Sequence, residues 1–146
     1  MKKLSFLVGN WLGQARMQRG QGDGVELAQT ENAQYKLDGL VLLIEGTGRT
    51  VSDDKAVLQA LATISYDDEA KVYRMRAYNN GRYMETEVKL AESGKGLTWG
   101  FTLGQIKTNS TLAINDKGEW TEVGEIVIGA QPPRKFLELT VRRETP

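Results

Sequence analysis

Phe6-Leu7-Val8-Gly9-Asn10-Trp11 is a short apolar turn that runs through a glycine into a tryptophan. With Leu4 and Ser5 before it, the stretch predicts one helical turn that plugs the end of a β-structure, with the first strand opening at Trp11. From there Trp11, Gly13, Ala15 and Met17 share one face and Leu12, Gln14, Arg16 and Gln18 the other, because side chains alternate along a strand. The first face is mostly small, which suits the narrow end of a barrel. A tryptophan beside a tight turn is by itself an ordinary core feature, so the weight comes from the other end of the chain. In Leu137 to Arg143 the alternation that turns Leu137, Leu139 and Val141 inward carries Arg143, not Arg142, with them. Arg143 is thereby the inward arginine of the last strand.

Working outward, the sequence reads as about ten strands joined by short turns. They are Trp11 to Arg19, Val25 to Leu37, Leu40 to Arg49, Ala56 to Tyr66, Lys71 to Asn79, Arg82 to Leu90, Leu97 to Leu103, Ile106 to Asn115, Trp120 to Ile128 and Arg134 to Arg143. Asp38-Gly39, Asn80-Gly81 and Asp116-Lys117-Gly118 are hairpin signals, and Gln131-Pro132-Pro133 is a stiff connection that no central strand tolerates. Ala56 to Tyr66 is where helix competes, through its alanines and leucines. Thr63-Ile64-Ser65-Tyr66 followed by the turn Asp67-Asp68-Glu69-Ala70 decides for strand. Gly20-Gln21-Gly22-Asp23-Gly24 spaces its glycines like a phosphate loop but lacks that motif's lysine, hydroxyl and following helix. It reads as a hairpin at the barrel rim. Many short strands at hairpin spacing mean a sandwich or a barrel, and the returning arginine favours an all-β, closed antiparallel barrel.

Length and composition exclude several chemistries. The 146 residues predict a single domain, 1–146, that buries roughly two-thirds of its unfolded surface. There is no cysteine, which removes disulfides, thiolate catalysis and cysteine metal sites and fits a reducing compartment. There is no histidine, which removes the usual general base near neutral pH, the commonest zinc ligand and the proximal haem ligand. With 19 basic and 19 acidic residues, no global field attracts nucleic acid or an anionic membrane. Lys2-Lys3 before an apolar run resembles a signal peptide, but Gly9, Asn10 and Gly13 break the run and cleavage near Ala15 would delete the plug. No apolar stretch reaches the length of a bilayer. The expectation is a soluble, cytoplasmic protein without nucleic-acid or membrane partners.

Taken in order, Phe6 to Trp11, Leu40 to Gly46, Ser65-Tyr66-Asp67, Arg74 to Tyr78, Trp99-Gly100-Phe101, Glu122-Val123-Gly124-Glu125 and Leu139 to Arg143 resemble the lipocalin-like proteins of the calycin group. The chain is distantly similar to the ten-stranded nitrobindin and fatty-acid-binding shape, and more closely similar to a bacterial lipocalin-like family. The resemblance implies a barrel with a cavity and a tryptophan across the closed end, covered by an arginine. Nitrobindin-like proteins carry haem on a histidine near the C-terminal end. None exists here, and Met17, Met75 and Met84 read as core filler, so no cofactor is expected. Fatty-acid-binding relatives place a helical lid between the first two strands, where this chain has only the glycine loop.

Arg74, Arg76 and Tyr78 share one phase of the fifth strand. Facing inward, they would offer two guanidiniums and a phenol to an anionic ligand, with Glu31, Glu45 or Glu122 pairing with one arginine and Trp99 and Phe101 forming an apolar wall. The opposite phase, Tyr73, Met75 and Ala77, is the more apolar, and hydrophobicity alone turns it inward and leaves Arg74 and Arg76 in solvent. Gln29 and Glu31 follow the apolar phase of the second strand, as candidates for a polar cavity or for a bulge that turns them outward, while Glu45, with Val41 and Leu43, and Glu122, with Trp120, are ambiguous in facing and read first as surface charges or ion-pair partners. The candidate ligand-binding set is Glu31, Glu45, Arg74, Arg76, Tyr78, Trp99, Phe101 and Glu122, with Trp11 and Arg143 as the plug. No catalytic residue or metal ligand is assigned. The expected function is binding of a small apolar or amphipathic molecule, an anionic one included, as a carrier or sensor. The alternatives are an enzyme using inward carboxylates, arginines and Tyr78, or a filled barrel used for protein contact.

Overall fold

Alternating burial on ten successive segments is what closes this chain on itself. The computed structural model describes residues 1–18 and 24–145. After a 3-10 turn at Lys2–Leu7 come β1 (Gly9–Met17), β2 (Val25–Lys36), β3 (Val41–Thr50), β4 (Ala56–Asp67), β5 (Val72–Asn79), β6 (Arg82–Leu90), β7 (Gly96–Leu103), β8 (Ile106–Ile114), β9 (Trp120–Ile128) and β10 (Arg134–Arg143). Each strand pairs antiparallel with the next. β1 then pairs with β10, from Trp11 opposite Arg143 to Met17 opposite Leu137, which makes a closed, lipocalin-like barrel. The contested segment Ala56–Asp67 is a strand, paired on both sides, with Leu58 and Ile64 buried on its inner face. Asn80 and Gly81 both take positive φ, +50° and +85°, the two-residue turn whose twist matches the flanking strands. The expected rim hairpin at Gly20–Gly24 falls largely on residues 19–23, outside the described residues. No helix among the described residues is long and apolar enough to cross a membrane.

The strands give the barrel one closed end and one open end. At the closed end Leu4 and Leu7 of the 3-10 turn are fully buried, and the Trp11 indole N–H donates to the Leu7 carbonyl at 2.9 Å. Trp120 meets Trp11 edge to face, with centroids 5.4 Å apart. Arg143 lies over the same ring at 4.5 Å and donates to the Phe6 carbonyl at 2.8 Å, so one side chain ties β10 to both the indole and the turn. Arg142 points away and pairs with Glu119 at 2.7 Å. The Tyr35 hydroxyl donates to the Met1 carbonyl at 2.6 Å and fixes the start of the chain.

Along the inner face, burial falls from this base toward the far end. Leu42, Ile64, Leu97 and Val141 are almost completely enclosed, whereas Phe101, Leu103 and Ile106 keep 36, 70 and 37% of their surface exposed. One wall is incomplete there. The β6–β7 ladder contains only Val88 opposite Trp99, Lys89 opposite Thr98 and Leu90 opposite Leu97. Continued, that register would bring Glu87, Thr86, Glu85 and Met84 opposite Gly100, Phe101, Thr102 and Leu103, and those four pairings do not form. A side chain spans the break instead: the Thr86 hydroxyl donates to the Gly100 carbonyl at 2.6 Å.

Candidate functional site

The sequence brings three polar side chains into the interior by strand phase alone. On β2, Leu27 and Ala33 are buried in the core, and Gln29 and Glu31 share their phase. On β9, Trp120 and Gly124 face inward and Glu122 lies between them. Room for the β2 pair comes from the neighbouring strand. Gly46 sits opposite Glu31, and a Cβ built there would meet both Glu31 carboxyl oxygens at 2.7 Å. A bare backbone is therefore the seat of this carboxyl.

Gln29 is wholly enclosed, and its amide nitrogen donates to a Glu31 oxygen at 2.9 Å while its own oxygen has no partner. Burial pushes the Glu31 carboxyl up to about 8, with repulsion from Glu122 adding to the rise and the bond from Gln29 opposing it. Burial likewise pushes Glu122 up to about 7, against a long hydrogen bond of 3.4 Å from the Trp120 indole N–H. Neither carboxyl takes part in an ion pair among the described residues. Above this polar group the wall is apolar: Met84, Ala77 and Trp99 pack partly buried against the core, and Phe101 continues the Trp99 phase toward the open end.

The other candidates lie elsewhere, which corrects the inward reading of Arg74, Arg76, Tyr78 and Glu45. Met75 is buried opposite Ile64, and alternation then sends Arg74, Arg76 and Tyr78 to the outer wall. There Arg74 pairs with Asp67 at 2.8 Å and Arg76 with Glu85 at 3.6 Å, while Tyr78 packs on Tyr83 with ring centroids 5.3 Å apart. Accepting from the Ala70 amide and from Arg74 holds the Asp67 carboxyl below its usual range. Glu45 is exposed on the outside because Ile44 and Gly46 take the inner phase of β3. A shallow outer depression of about 530 Å³ brings Glu45 and Tyr78 together with Leu61 and Arg49, and a second of about 320 Å³ runs over β1–β3 beside Asn32 and Glu144. Of the eight ligand-binding candidates, Glu31, Glu122, Trp99 and Phe101 share the interior. Gln29 is outside that set of eight, although its phase, two positions before Glu31, makes it a candidate for a polar interior, and it lies there beside Glu31.

Among the solved structures that share this shape are two of nearly full coverage. Rv2717c from M. tuberculosis matches with a TM-score of 0.75 over 97% of this chain and 94% of its own, at 11% identity. The S-type phycobiliprotein lyase CPES from Guillardia theta matches with a TM-score of 0.66 over 97% of this chain and 90% of its own, at 10% identity. At such identities the likeness is one of fold. No protein-family model matches the sequence, and no curated protein matches it.

Proposed function

We propose that the protein binds a small amphipathic molecule inside the barrel, as a carrier or sensor. The observation that carries this reading is the inner face itself: a base sealed by Trp11, an apolar wall left accessible at Phe101, Leu103 and Ile106, and a few polar groups gathered below it. Binding sites for small molecules combine these features, a mostly apolar concavity with a small number of placed polar groups. The basic residues that would have favoured an anionic ligand, Arg74 and Arg76, stand on the outer wall.

Native mass spectrometry of the protein purified from its own cells, before and after denaturation, tests this reading. A stoichiometric small molecule released on unfolding is the expected result. A bare protein mass, together with no shift of Met84 or Trp99 resonances when decanol is titrated in, would overturn it. A second reading, an enzyme, is favoured by two enclosed carboxyls that titrate near neutrality, where proton transfer is most effective. One structural neighbour is by its name a lyase on a barrel of this shape. Turnover lost in Glu122→Gln with the fold intact would favour that reading.

A further inference from the structure

We infer that the interior site selects a molecule whose polar head is a protonated amine, because Gln29, Glu31 and Glu122 present unfilled acceptors there and no cation. The inference rests on the interior-binding reading above. Gln29 carries it: the residue is fully buried, its amide donates to Glu31, and its oxygen has no donor among the described residues. A buried acceptor without a partner is unfavourable, and a donor brought from outside relieves it. Among the described residues the second oxygen of Glu31 has no hydrogen bond, and Glu122 accepts only from Trp120, at 3.4 Å. The cations of the inner phase stand elsewhere. Arg143 is engaged at the base with Trp11 and Phe6. Arg134 is in register with Ile126, about 13 Å up β9 from Glu122, and Arg82 stands at the rim opposite Asn79. The inward hydroxyl of Ser110, opposite Gly124, is neutral.

A primary ammonium offers three N–H donors and no acceptor, which complements this set, and its bonds to carboxylates are charge-assisted. An alcohol offers one donor. A carboxylate head would set another acceptor against three and repel both glutamates. The apolar body would lie along Met84, Trp99 and Phe101, toward the open end.

Decylamine, decanol and decanoate share one body and differ in the head. Each is titrated into the protein at pH 9, where Glu31 and Glu122 are ionised and the amine is still cationic, below its micellar concentration, following tryptophan emission and the NMR signals of the Gln29 side-chain amide and of Met84. Decylamine is expected to bind at least tenfold more tightly than decanol, and decanoate most weakly. Glu122→Gln should erase that preference. Decanoate binding as tightly as decylamine, or a preference that survives in both Glu122→Gln and Glu31→Gln, would overturn the assignment. The comparison of heads in the unmodified protein decides even if a variant fails to fold. Failure of the interior reading looks different: none of the three heads then shifts the Met84 or Gln29 signals.

Discussion

Replacing Glu31 with glutamine removes one of two enclosed titrations while keeping an oxygen for the Gln29 amide to bond. In the folded protein Glu31 titrates at about 8 instead of 4.5, burial being the first cause. Below pH 4.5 both folded and unfolded chains hold this proton, and stability does not depend on it. From there to about pH 8 the folded chain keeps a proton that the unfolded chain gives up, so stability is lost as pH rises, and the loss levels off above 8. At about 1.4 kcal/mol per pH unit, the whole span amounts to about 5 kcal/mol by pH 9. For a domain of this size that corresponds to a drop in Tm of roughly 15 °C. Thermal unfolding followed by circular dichroism from pH 5 to 9 reads the difference. Asp67 and Glu119 have lowered carboxyls that titrate below this window and are common to both proteins, so they cancel. Glu31→Gln should match the parent near pH 5 and exceed it increasingly toward pH 9. Parallel curves would show that this carboxyl is not held in a desolvated interior, and the account of the site would fall with it.

Trp11→Ala removes a buried ring that contacts Trp120, Arg143 and the Leu7 carbonyl, and should destabilise the fold by about 3–5 kcal/mol in urea unfolding; a change under about 1 kcal/mol would sink the plug. Arg76→Ala breaks an exposed pair with Glu85 and should change stability by less than about 1 kcal/mol and interior binding not at all. A tenfold loss of ligand affinity would instead place the ligand on the outer wall. Gly46→Ala puts a methyl where the Glu31 carboxyl rests and should destabilise by about 1–3 kcal/mol, an effect relieved in a Glu31→Ala background; additive effects in that double-mutant cycle would refute the seat.

Strand facing is legible in this sequence wherever apolar side chains mark one phase without competition. Leu27 and Ala33 fix β2 and take Gln29 and Glu31 inside, and Trp120 fixes β9 and takes Glu122. β5 is harder, since both phases carry a tyrosine and the arginines have long apolar stems. The outcome follows the small and apolar residues Met75 and Ala77, as hydrophobicity alone favours. β3 hides its inner phase for another reason. Gly46 and Gly48 contribute nothing to hydropathy, so Glu45 cannot be assigned a side from its neighbours. That a glycine in a strand marks a close approach is general; that Gly46 seats Glu31 depends on a register between strands that the sequence does not print. The interruption between β6 and β7 is equally silent, because both strands look regular to their ends.

That interruption also changes what kind of object the barrel is mechanically. A fully laddered cylinder opens only by breaking a line of backbone bonds, whereas this one already lacks part of such a line. The slit lies in the open half, between Met84 to Glu87 and Gly100 to Leu103, and the Thr86 hydroxyl is the clasp. It stands at the end of the barrel away from the base that Trp11 and Arg143 close.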